Sequence, residues 1–209
     1  MYLEDYLEVR RPLTYWRELL HEWLFLVNRV YRISNQKAAV YAEKERANTG
    51  LLAAAATRNG WVALEECRSQ KIDKYVEDAE YGGRCDLMIW RDRRHHIIEA
   101  KHVRFPIGAR SISRIDRVHL RALADSARST SSGYKSEKMI AVTYIVPVIK
   151  PSQYSAMTEE EISIRLREVV AEVKSQHGPT FISYAFPGPV VLQGSANLGL
   201  GVIIIGKVT

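Results

Sequence analysis

Apolar positions early in the chain recur at intervals of three and four. Trp16, Leu19, Leu20, Trp23, Val27, Val30 and Tyr31 form one stripe, and Arg17, Glu18, His21 and Glu22 lie off it. This spacing predicts an amphipathic helix over residues 14–33 with Thr14 as its N-cap. An alanine-rich stretch predicts a second helix over 36–59, closed by Asn59-Gly60 and bent at Gly50. From Trp61 onward the period changes. Residues 61–65 read as a first strand, and a polar connection over 68–83 follows it. Two short apolar runs, 85–90 and 95–101, flank the charged turn Arg91-Asp92-Arg93-Arg94 and predict a β-hairpin. A helix is expected over 111–128, then a Ser/Thr/Gly loop over 129–133. A strongly apolar strand over 139–148 is ended by Pro147 and Pro151. Thr158-Glu159-Glu160-Glu161 has the form of a capping box and opens a helix through Ile162, Leu166, Val169, Val170 and Val173. Strands over 181–186 and 201–208 close the chain. The order helix, strand, hairpin, helix, strand is mixed α/β.

The hairpin carries the chemistry. Period-2 alternation puts Glu99 and Lys101 on one face of its second strand and Ile98 and Ala100 on the other, with Asp86 on the neighbouring strand. Two carboxylates and an ammonium on one sheet can hold a hard divalent cation beside a proton-transfer group. That is the equipment of metal-assisted phosphodiester hydrolysis. The competing picture is an exposed hairpin with ordinary surface charges. Glu99 directly follows Ile97-Ile98, where a strand enters the core, and a buried carboxylate needs a partner, so the functional picture ranks first.

At Gly83-Arg84-Cys85-Asp86 and Glu99-Ala100-Lys101 the chain resembles the PD-(D/E)XK nuclease superfamily. The resemblance covers the middle of the chain, from the helix around Glu45 to the helix after Lys101. Cys85 stands where the family's name has proline. The resemblance implies a restriction-endonuclease-like α/β fold, a mixed central sheet flanked by helices. It also implies that Asp86 and Glu99 hold Mg²⁺, with Mn²⁺ as a substitute, that the Ala100 carbonyl adds an oxygen, and that Lys101 assists the attacking water. A further acid is expected from the helix before the first strand. Glu45 falls near the apolar side formed by Leu51, Leu52 and Ala55, and Glu43 toward the opposite face. Glu45 is preferred, Glu43 is the runner-up, and two solvated acids remain the alternative.

Composition adds partners. The chain has 209 residues, enough for a single domain with a helical extension over 1–35 and an α/β domain over 36–209. Its formal charge of +6 favours polyanionic partners. Arg110, Arg114, Arg117 and Arg121, with Arg128 on the same line, form a helical stripe that can follow a phosphate backbone, or simply a solvated face. Only two cysteines, Cys67 and Cys85, are present and no signal peptide is visible, so a reduced, cytoplasmic protein is expected with no membrane partner. His95-His96 cannot easily serve one metal, since adjacent strand residues face opposite ways. Three functions compete: a Mg²⁺-dependent deoxyribonuclease, a non-catalytic DNA-binding or assembly module of the same fold, and an interaction domain using the tryptophan helix. The nuclease is preferred because all three active-site residue types are present. DNA comes from the family's habit, and a homodimer suits cutting both strands of a duplex.

Overall fold

The computed structural model describes residues 2–72, 80–108, 112–128 and 137–209. Its spine is strand β5 (Glu137–Ile149), in which every residue from Ile140 onward is buried. A strand covered on both faces needs no polar alternation, which explains its apolar sequence. β4 (Arg94–Pro106) runs parallel to it on one side, and β9 (Val202–Val208) antiparallel on the other. The sheet order is β1-β6-β9-β5-β4-β3-β2, where β1 is Tyr6–Val9, β2 Val62–Ile72, β3 Glu80–Arg91 and β6 Phe181–Ala185. Short strands β7 (Val190–Val191) and β8 (Leu198–Gly199) join through β8 to β5. The described residues therefore form an open, nine-stranded mixed sheet.

Helices cover both faces. α1 (Arg17–Ile33), the turn just before it and α2 (Glu45–Arg58) bury Trp16, Trp23, Leu52 and Ala55 against Leu87, Ile89, Ile98, Ala100, Val142 and Tyr144. On the other side α3 (Ser113–Arg128) and α5 (Glu159–His177) bring Ile115, Leu166 and Val173 against Val103, Phe105, Ile145 and Ile203. A short α4 (Pro151–Ala156) precedes α5. The alternation of Val142, Tyr144 and Val146 with Ile145 in β5 sorts the two cores.

Several boundaries differ from the sequence expectation, each for a tertiary reason. Thr14 does not cap α1. Thr14–Trp16 is a 3₁₀ turn with no side-chain cap, and its tight pitch sends both Leu13 and Trp16 into the core at 0% exposure. α2 starts at Glu45, not residue 36. Asn35 and Gln36 take left-handed φ of 52° and 65°, and the 3₁₀ turn Val40–Ala42 plants Tyr41, whose hydroxyl donates to the Gly188 carbonyl at 2.7 Å. α2 runs through Gly50 without interruption. Much of the expected polar connection is strand: β2 and β3 stay paired out to Ile72 opposite Glu80. β2 is the sheet's edge, where polar residues suit a strand that meets water. Pro147 lies inside β5, beyond the last β5–β9 pair at Ile145–Ile203. The capping box forms as expected. Thr158 accepts from the Glu161 N–H, and Glu161 from that of Thr158. The first 35 residues hold an edge strand, β1, as well as α1, and α1 shares the main core.

Candidate functional site

The β3–β4 ladder starts at Arg91–Arg94, across a two-residue turn in which Asp92 takes φ 55°, and ends at Leu87–Ile98. The next pair would be Asp86 with Glu99, and there the strands part. The alternation of β3 breaks at the same place: Leu87 and Ile89 pack toward α1 and α2, whereas Cys85 packs with Met88 and Ile97 on the opposite side. Across from Asp86 on β2, Glu66 takes φ 54°, a further sign of local twisting. β4 continues beside β5 to Pro106, so the backbone donors that β3 leaves behind need other acceptors. Asp86 Oδ2 accepts from the Ala100 N–H at 2.6 Å. The His102 N–H, next on the same side, hydrogen-bonds to Glu45 in the first turn of α2. Two carboxylates are thereby fixed along the vacated edge of β4.

Glu99 and Lys101 lie on the opposite parity from Ile98 and Ala100, toward α3. Glu99 is only 3% exposed, and its Oε1 meets the Lys71 ammonium of β2 at 2.8 Å. Lys101 Nζ donates to the Ala100 carbonyl at 2.9 Å and pairs with Asp125 Oδ2 of α3 at 3.1 Å. Arg128 takes the other oxygen of Asp125.

Crowded charge shows in the ionisation of these groups. Burial raises the Glu45 pKa, and the negative charges of Asp86 and Glu99 raise it further, against Lys101 and the His102 N–H, which pull it down. For Lys101 burial acts downward, but Asp86, Asp125 and Glu45 outweigh it and the net shift is upward. The ammonium keeps its charge. The donor set, three carboxylates and a carbonyl, is the hard oxygen chemistry that suits Mg²⁺ or Mn²⁺. Burial is the main cause of the upward shift of Glu45, and the charges of Asp86 and Glu99 add to it. Among the described residues no three His, Cys, Asp or Glu side chains converge as an ion-holding group as they stand. The carboxylate of Glu99 is engaged by Lys71, and that of Asp86 by the backbone.

The structure brings Glu45, Asp86, Glu99 and Lys101 to one place and leaves Glu43 exposed after the 3₁₀ turn. Arg114, Arg117 and Arg121 are exposed on α3, opposite its buried Ile115, His119, Ala122 and Ser126. Arg110 lies outside the described residues. Glu18 and Glu22 pair with Arg91 and Arg58 near the surface. His95 and His96 part company. His96 is enclosed by Tyr15, Trp16 and Trp61, with its pKa pushed down to about 3 by burial, and His95 stacks on Trp90 at 4.8 Å. Sequence reasoning missed Lys71 and Asp125. Neither carries a local signal, since each meets its partner from a distant element. Gly83 leaves room for the Lys71 stem, but a glycine alone does not identify the residue that uses it.

No family model, curated protein or solved structure matches the chain. The fold defines an α/β protein built on an open mixed sheet. Among the described residues no helix is long and apolar enough to cross a membrane.

Proposed function

We propose that this chain is a metal-dependent nuclease of PD-(D/E)XK type that hydrolyses DNA phosphodiester bonds. The observation that carries the reading is the gathering of Glu45, Asp86, Glu99 and Lys101 where β3 parts from β4. Asp86, Glu99 and the Ala100 carbonyl would hold Mg²⁺, or Mn²⁺ in its place, which polarises the scissile phosphate and makes a bound water more acidic. Lys101 is held protonated by its acidic neighbours, so it serves as a fixed positive charge beside the developing negative charge of the transition state. Glu45, a carboxylate whose pKa burial raises, would accept a proton from the attacking water. Arg114, Arg117 and Arg121 lie on the helix that supplies Asp125 and would follow the DNA backbone.

The test is a metal titration against linear, nicked, single-stranded and branched DNA, with wild type, Glu99→Ala and Lys101→Met compared. Cleavage should require Mg²⁺ or Mn²⁺ and fall by about 10² or more in each variant. Absence of metal-dependent cleavage on every substrate would overturn the proposal. A second reading, a non-catalytic DNA-binding or assembly module of the same fold, draws support from the engagement of Asp86 and Glu99 inside the protein. It requires salt-sensitive DNA binding that survives both substitutions and metal removal.

A further inference from the structure

We infer that Lys71 is the resident counter-ion of the site: its ammonium holds Glu99 in the metal-free protein and gives way when a divalent cation binds. The inference rests on the nuclease reading and extends it to a residue that the family pattern does not include. Lys71 comes from β2, with β3 lying between it and Glu99 on β4. The pair closes at 2.8 Å with side chains only 14% and 4% exposed, which sets it apart from a solvent-screened surface bridge. Its path is built into the backbone. A Cβ at Gly83 would stand 2.9 Å from Lys71 Cδ, 3.0 Å from Cγ and 3.1 Å from Cε, so the bare glycine leaves room for the stem. Gly83 lies opposite Ser69, one same-face step from Lys71, in the part of β3 that has already left β4.

A carboxylate shielded this far from water cannot accept an ammonium and a dication side by side without strong repulsion between them. The two cations therefore compete for Glu99, and the flexible four-carbon stem of lysine lets the ammonium give way. The competition lowers the affinity of the wild-type site for metal.

Removing the charge while keeping the stem isolates this effect. Mn²⁺ binding would be measured by calorimetry on the full chain, wild type against Lys71→Met, with circular dichroism confirming that the fold is intact. The variant should bind Mn²⁺ at least about fivefold more tightly, as expected when no ammonium competes with the dication for Glu99. Equal or weaker binding by the variant, with wild-type binding intact, overturns the counter-ion role and leaves the nuclease reading standing. Absence of Mn²⁺ binding by both proteins up to about 10 mM, beyond the usual range of protein sites, overturns both. If Lys71→Met does not fold, Lys71→Gln carries the same comparison.

Discussion

Glu45 shows how a candidate site residue can work against the fold that holds it. Burial and the neighbouring charges of Asp86 and Glu99 raise its pKa in the folded protein above the ordinary 4.5. In that interval the native state binds more protons than the unfolded chain, so stability falls as pH rises through it. Glu45→Gln removes the opposed ionisation. It should raise the melting temperature at pH 7, and the gain should vanish below about pH 4.5, where a carboxyl is protonated in both states. Scanning calorimetry of both proteins at pH 7 and pH 4 checks this. A variant that melts lower at pH 7 would show that the hydrogen bond from His102 outweighs the desolvation. Residue-scale legibility has the same limits. The strand positions of Asp86, Glu99 and Lys101 were readable because strand alternation and apolar lead-ins are local signals. Asp125 and Lys71 were not, because α3 and β2 reach the hairpin only through the tertiary fold.

Among the elements, α3 links site and surface. Its buried stripe packs on β4 and β5, while Asp125 at the edge of that stripe reaches Lys101 and the arginines occupy the exposed side. Replacing Arg114, Arg117 and Arg121 together with alanine removes no buried contact, so stability should change by less than about 0.5 kcal/mol per site. DNA affinity should fall, and the slope of log affinity against log salt should flatten by as much as about 0.9 per lost phosphate contact. An unchanged slope in filter binding or fluorescence anisotropy would make the row a solvated face and nothing more. Helices were legible where their signals were local. The Thr158–Glu161 capping box marks the start of α5 correctly because both partners lie within one turn. The start of α2 was misplaced because Tyr41 obeys a carbonyl 147 residues away. β2 and β3 were cut short because an edge ribbon tolerates a polar sequence that otherwise reads as a loop.

At the scale of the whole molecule, acid sensitivity comes from histidines held neutral in both helical layers. His96 lies among Tyr15, Trp16 and Trp61 on the α1 side, and burial pushes its pKa down to about 3. His119 lies between α3 and β5, 2.9 Å from Thr143 Oγ1, and burial, with His177 and Lys207 adding to it, brings its pKa to about 4. The unfolded chain takes up these protons near pH 6.5, whereas the native protein resists them. Stability is therefore greatest above pH 6.5 and is lost as pH falls toward 4 and then 3, by up to about 1.4 kcal/mol per pH unit for each histidine. Glu45 and Asp5, whose carboxyl pKa values burial raises, oppose this trend over the interval just above their ordinary values. Urea denaturation should show the midpoint falling from about pH 6.5 to about pH 5, more shallowly in His96→Leu, with its apolar replacement inside the aromatic box. A midpoint constant over that range would mean that the histidines are protonated in place. Because the two rings sit in opposite layers of one sheet, protonating either loosens a different core, and both losses should register in a single cooperative transition.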